Sequence, residues 1–130
     1  VNYYLAIAVG GALGAMSRYG LMNLVQTTLS GRLPGDQFPW GTWVVNVSGS
    51  LLIGILYVLI AEKMTLPSEA RALLVVGFLG AFTTFSTFSL DTLLLIQQGW
   101  LLQAITYIVS SVVVCILLTW LGMVLTRLLA

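Results

Sequence analysis

The ionisable residues of this chain are spaced so widely that most of it cannot be meant for water. Residues 1–17, 37–61, 72–90 and 92–126 carry no formal charge. Each stretch is close to, or longer than, the roughly 17–25 apolar residues that take a helix across a bilayer. Hydrophobic residues make up 59% of the chain and charged residues 7%, with a mean hydropathy of +1.05, whereas a soluble domain has about 25% charged residues. The expectation is an all-α integral membrane protein. One four-helix transmembrane domain covers residues 1–130, with spans at about 3–26, 40–61, 72–96 and 100–125. The first segment lacks a basic leader and an A-x-A cleavage pattern, so it is expected to be a permanent span rather than a signal peptide.

Several function classes drop out on the same grounds. A net charge of +1 without a basic run provides no footprint for nucleic acid. Histidine is absent and Cys115 is the sole cysteine, which removes disulfide frameworks and His/Cys metal sites. The carboxylates Asp36, Glu62, Glu69 and Asp91 are scattered near expected helix ends, so neither a nucleophilic triad nor an acid/base pair is in view. An enzyme is not expected.

The connecting segments follow from turn chemistry. Thr27 to Pro39, with Arg32 and Asp36, is a polar loop rich in Gly, Pro, Ser and Thr. Glu62, Lys63 and the Pro67-Ser68-Glu69 group form the next turn, with Ser68 as the expected N-cap. Gln97-Gln98-Gly99 closes span three. Four helices fill their own centre with side chains, so a route for a solute is expected between subunits. Gly10 and Gly14 form a G-x-x-x-G motif suited to close helix contact, and oligomerisation is the working expectation. Lys63, Arg71 and Arg127 fall on the side of the N-terminus, against Arg32 and Arg18 toward the other. This weak bias suits either an ordinary N-in topology or insertion in both orientations.

Polar residues inside spans are costly and therefore carry functional hypotheses. On span two, Thr42, Asn46, Ser50 and Gly54 recur every fourth residue on one face. Asn46 brings two amide donors, for an anion or for a neighbouring helix. On span four, Tyr107, Ser111, Cys115 and Thr119 form a similar seam, either a polar track or hydroxyls bonded back to their own helix. On span three, Phe85 and Phe88 share a face within the run Thr83 to Ser89. They are either packing residues or rings whose positive edges touch an anion. Gly77 and Gly80 precede that run, so the third helix is expected to break in mid-membrane. Carbonyls freed there would face threonine hydroxyls or a cation such as Na⁺. Arg18 either snorkels to the interface or lines a wet vestibule that concentrates anions.

Three runs then share one pattern: G-A-M-S-R-Y (Gly14 to Tyr19), F-P-W-G-T-W-V-V-N-V-S-G-S (Phe38 to Ser50) and G-F-L-G-A-F-T-T-F-S-T-F-S (Gly77 to Ser89). In order and spacing they resemble the Fluc/CrcB fluoride channels of prokaryotes, and the likeness covers essentially the whole chain. The resemblance implies a passive fluoride channel of the cell inner membrane, built as an antiparallel dual-topology homodimer with two pores, that relieves fluoride toxicity. It implies a fluoride pore of Asn46, Phe85, Phe88, Tyr107, Ser111 and Thr119, with Cys115 between the last two and Arg18 at the vestibule. It further implies a structural Na⁺ at the dimer interface, held by the backbone carbonyls of Gly80 and Thr83. Two positions depart from the family pattern: Ala81 stands where a second glycine is common, and Asp91 where a glutamate is common, so Asp91 receives no role. The rival readings are a small multidrug exporter, which would need a carboxylate in mid-span, and a structural membrane subunit without transport.

Overall fold

The computed structural model describes residues 2–29 and 37–130. The greater part of the expected polar loop, with Arg32 and Asp36, lies outside the described residues. Four helical spans are long and apolar enough to cross a membrane: Tyr3–Leu29, Trp40–Lys63, Ser68–Gln97 and Leu101–Leu129. All four reach beyond the expected bounds. Thr27, expected in the loop, remains in the first helix and donates its hydroxyl back to the carbonyls of Asn23 and Leu24.

Local chemistry sets the ends. Helix α1 (Tyr3–Leu29) is capped by Asn2, whose Oδ1 accepts from Leu5 N–H at 3.0 Å. Helix α2 (Trp40–Val58) starts after Pro39 and finishes in a π-helical turn, Leu59–Lys63. Span three opens with α3 (Ser68–Arg71), and here an expectation fails. Pro67 is the N-cap and Ser68 the first helical residue, because the fixed φ of proline already presents the entry angle of a helix. A wide π-helical segment, Ala72–Leu79, follows, then one turn of α4 (Gly80–Phe82) and α5 (Phe85–Gln97). Between α4 and α5, Thr83 (φ −87°, ψ 157°) and Thr84 (φ −150°, ψ 118°) hold extended backbone. α5 closes in a Schellman turn: Gly99 takes φ 87°, its N–H reaches Ile96 O, and Trp100 N–H reaches Leu95 O at 2.8 Å. Helix α6 (Leu101–Leu129) completes the bundle.

Two glycine-lined crossings assemble these helices in pairs. A Cβ on Gly10 would strike Leu73 O, one on Gly14 would strike Phe78 O, and one on Gly77 would come within 2.7 Å of Ile7 O. The G-x-x-x-G motif, expected to support association of chains, is thus consumed within the chain by backbone contact between α1 and the π-helical segment. α2 and α6 meet likewise. A Cβ on Gly54 would hit Thr119 O, one on Gly122 would lie 2.6 Å from Leu51 O, and Thr119 Oγ1 donates across the seam to Ser50 O at 3.0 Å. Contact this close replaces the hydrophobic effect, which has little to offer between helices that share a lipid solvent.

At one end of the bundle Phe38, Leu95, Ala104 and Tyr107 pack with Trp40, Trp43 and Phe88. At the other, the Arg127 guanidinium meets the Glu62 carboxylate at 2.7 Å, an exposed pair of small energetic weight. Large side chains such as Leu102, Ile116 and Trp120 stay exposed on the outer surface, as expected where lipid is the solvent.

Candidate functional site

The extended pair Thr83–Thr84 interrupts the backbone ladder, and specific side chains take over what it leaves. Asn46 of α2 meets the peptide of Thr84 at two points: Nδ2 donates to Thr84 O at 3.0 Å, and Oδ1 accepts Thr84 N–H at 2.8 Å. One amide hydrogen of Asn46 is left for another acceptor. Thr84 caps α5, its Oγ1 accepting Thr87 N–H at 3.2 Å. Arg18 of α1 reaches over and donates Nε–H to Ala81 O at 3.0 Å, so this cation meets the helical turn that leads into the interruption.

These diversions determine which carbonyls lose their partners. In an unbroken helix Thr84 N–H would serve Gly80 O and Thr87 N–H would serve Thr83 O. Both donors are turned elsewhere, to Asn46 and to Thr84 Oγ1. Gly80 and Thr83 therefore present carbonyl oxygens without their helical donors, and both residues line the same cavity.

That cavity, about 550 Å³, is a groove between α2, span three and α6. It gathers Asn46, Phe85, Phe88 and Ser111 with Gly80 and Thr83. Phe85 is 78% exposed, and its ring lies 5.5 Å from that of Phe88 at an interplanar angle of 49°. Ser111 is 7% exposed. The groove has apolar walls and neutral donors, and among the described residues no Arg, Lys, Asp or Glu lines it. Such a surface offers dipoles and ring edges, the kind of group that meets a small anion without the grip of a fixed cation.

Two of the expected pore residues, Tyr107 and Thr119, flank this cavity without lining it. Tyr107 is fully buried in the aromatic cluster, 5.0 Å from Phe88 and 5.4 Å from Phe38 by ring centroids. Thr119 spends its hydroxyl on Ser50 O and on Cys115 O, each at 3.0 Å, so it joins α2 to α6 and follows the back-bonded alternative.

Residues 5–123 match the family model described as "CrcB-like protein, Camphor Resistance (CrcB)". The chain belongs to the CrcB family. A protein of Methylococcus capsulatus named "Fluoride-specific ion channel FluC" is 50% identical over 125 residues, covering 96% of this chain and 53% of its own length. Proteins of the same name from Hahella chejuensis (46% identical, 98% of this chain and 97% of the relative) and Magnetococcus marinus (47%, 94% and 95%) are similar over nearly their whole lengths. This CrcB chain thus spans about half of the Methylococcus relative and almost all of the other two.

A second cavity of this CrcB chain, about 560 Å³, has a different character. Arg18, Asn23, Gln26, Gln37, Thr42, Asp91 and Gln98 are among its lining residues. Asp91, which received no role from the sequence, accepts from Thr42 Oγ1 at 2.8 Å and from Tyr107 Oη at 3.1 Å, both on Oδ2. With Thr42 2% exposed and Tyr107 0%, both hydroxyls depend on this carboxylate. The available signal was Thr42, one turn before Asn46 on the polar face of span two, together with Asp91 as the only acid in span three beyond Glu69. Trp43 was also missed: its Nε1 donates to Ser110 Oγ at 3.1 Å and ties α2 to α6 beside Tyr107.

Asp91→Ala is expected to lower stability by roughly 1–3 kcal/mol for each buried hydroxyl that finds no other acceptor. Asp91→Asn, which keeps a carbonyl oxygen, should cost less. Thermal unfolding in detergent measures both, and an alanine variant as stable as the parent would remove Asp91 from this role.

Proposed function

We propose that this chain is a fluoride-selective ion channel that lets fluoride leave the cell passively across the inner membrane and so relieves fluoride toxicity. The observation that carries the reading is the groove in which Asn46, Ser111, Phe85 and Phe88 converge without a fixed charge among the described residues. Fluoride is a small, strongly hydrated anion. Stripping part of its water requires several donors close together, and leaving again requires that none binds too firmly. The remaining amide hydrogen of Asn46, the Ser111 hydroxyl and the ring edges of the two phenylalanines meet both demands. The names of the similar proteins, fluoride-specific ion channels, support the same substrate. A passive conduit suffices because hydrogen fluoride enters as a neutral weak acid, dissociates inside and is trapped as the anion. Tyr107 and Thr119 then belong to the track at its margins, and Arg18 to the vestibule formed by the second cavity.

The working unit in this reading is an antiparallel homodimer of one four-helix transmembrane unit, inserted in both orientations. The groove is open along one side and Phe85 projects from it 78% exposed, which fits closure by a second copy. The weak charge bias fits dual insertion. A structural Na⁺ on the dimer axis fits the donor set: the carbonyl oxygens of Gly80 and Thr83, deprived of helical donors, from each of two chains. A hard cation prefers such oxygens. The ion would hold the two interruptions together, with no part in moving fluoride. The interruption at Thr83–Thr84 would then sit in mid-membrane. The exporter reading is disfavoured because, among the described residues, no carboxylate lines the groove.

The test is fluoride efflux from liposomes holding the purified protein, read with an ion-selective electrode in the presence of a potassium ionophore, with chloride recorded in parallel. Rapid fluoride release without chloride release is expected. Absence of fluoride release from a verified dimer would overturn the reading in favour of a structural subunit. Exhaustive replacement of Na⁺ by a large organic cation during purification is expected to weaken dimer assembly and flux together. Insensitivity of both would remove the cation from the proposal.

A further inference from the structure

We infer that the ring of Phe38 is the constriction between the two cavities, and that it swings aside for each fluoride ion passing from one to the other. The inference rests on the channel reading above, in which Phe38 has no part. Phe88 lines the groove with Asn46, whereas Phe38 lines the second cavity with Arg18, Thr42 and Asp91. Tyr107 is fully buried, lines neither cavity and lies between them. Its ring is 5.0 Å from that of Phe88 and 5.4 Å from that of Phe38, the second contact edge-on at 83°. An ion travelling from Arg18 to Asn46 therefore meets three rings in a row.

Of the three, Phe38 is the one able to yield. Phe88 belongs to α5 and Tyr107 to α6, and the Tyr107 hydroxyl is held on Asp91 Oδ2 at 3.1 Å. Gln37, Phe38 and Pro39 precede α2 and belong to no helix. Trp40 N–H donates to Phe38 O at 2.8 Å across Pro39 (φ −78°, ψ 72°), which makes an inverse γ-turn. Gln103 Nε2 of α6 donates to Gln37 Oε1 at 3.3 Å. These contacts hold a short strap, which can move without unwinding a helix. The closed position also carries a cost. Trp40 Nε1 and Gln103 Oε1 are buried without a hydrogen-bond partner among the described residues, and both adjoin the strap. The Trp40 ring lies 4.5 Å from that of Phe38, and Gln103 is the residue that clasps Gln37. A buried polar atom without a partner is unfavourable, and lifting the strap would bring both to water. Ring packing holds the constriction shut while these two groups oppose it, which is what opening and reclosing requires.

The test is the single-channel fluoride current of the protein reconstituted in planar bilayers. F38A removes the ring and is expected to raise the unit current about twofold or more, and F38W, which fills more of the passage, to lower it by about as much. Lost packing alone would not move the two variants in opposite directions. Unit currents equal to the parent's in both, or a lower current in F38A, would overturn the inference. A second arm does not depend on either variant folding. Q37C/Q103C in liposomes is bridged with ethane-1,2-diyl bismethanethiosulfonate, a short reagent that ties the strap to α6, and the intact mass of the chain reports the bridge. Bridging is expected to slow fluoride efflux by about tenfold or more, with recovery after dithiothreitol, while Q37C and Q103C alone keep their efflux in the same reagent. A bridge verified by mass with unchanged efflux would overturn the inference, as would equal slowing of both single variants. A parent protein that passes no fluoride would instead overturn the channel reading, and the constriction with it.

Discussion

Asn46→Asp is expected to abolish nearly all fluoride conduction while leaving a folded protein. The side chain keeps an oxygen for Thr84 N–H, the 2.8 Å contact, but loses the amide that donates to Thr84 O at 3.0 Å. It also brings a negative charge into a groove where, among the described residues, no cation offsets it. Two unit charges 4 Å apart at an effective dielectric of about 20 repel by about 4 kcal/mol, and each 1.4 kcal/mol is about tenfold in occupancy. Anion occupancy beside residue 46 should therefore fall by roughly three orders of magnitude. The liposome efflux assay measures it, with size-exclusion chromatography as the check on folding. Unchanged flux in a well-folded variant would dismiss Asn46 as a donor in the path. Asn46→Leu is the companion measurement. It adds no charge but leaves both polar groups of Thr84 unpaired, so its loss should show in stability, at roughly 1–3 kcal/mol per group.

The second large effect concerns assembly. Gly14→Val places a branched side chain where even a Cβ would collide with the backbone carbonyl of Phe78. A backbone carbonyl held in a helix cannot rotate away as a side chain would, so α1 must separate from span three along its length. The cost is expected at or above the upper end of the roughly 1–3 kcal/mol typical of overpacking. Because Arg18 reaches Ala81 O across this same crossing, the helix interruption would lose a partner as well. Gly20→Val supplies the control: nothing lies within 4 Å of the position a Cβ would take there, and its effect should stay within roughly 0.5 kcal/mol. Yield of monodisperse protein and thermal unfolding in detergent read both. Equal stability of the two variants would mean that the glycine crossing does not hold α1 in place.

These two residues also mark how far the sequence can be read. The spans follow from charge spacing, because a charged side chain is costly within a bilayer and its absence over a helix-length stretch is a one-dimensional fact. The residue types of the groove were also legible. Asn46, Phe85, Phe88 and Ser111 are polar or aromatic residues at helical spacing in otherwise apolar segments, and they come to line one cavity. Helical periodicity says which face a residue takes, and Asn46 with Ser50, and Ser111 with Cys115, each one turn apart, line the same cavity.

Partnership was not legible. The Gly10/Gly14 motif is equally suited to a helix of the same chain or of another, and only the fold assigns it to Leu73 and Phe78. Thr119 looks like one more hydroxyl of the seam, yet a carbonyl of α2 lies within its reach and takes it. Asp91 showed no function until Thr42, 49 residues earlier, and Tyr107, 16 residues later, turned their hydroxyls onto one oxygen. Nor does the sequence indicate that the peptide of Thr84 would be held by an amide 38 residues away. The physical reason is one of range. Solvent preference and helix periodicity act on each residue and its near neighbours, so by itself the sequence determined a four-span, nearly uncharged membrane chain with polar faces. Hydrogen bonds and close backbone contacts depend on distances of a few ångströms between segments far apart in the chain, and those the tertiary structure alone decided.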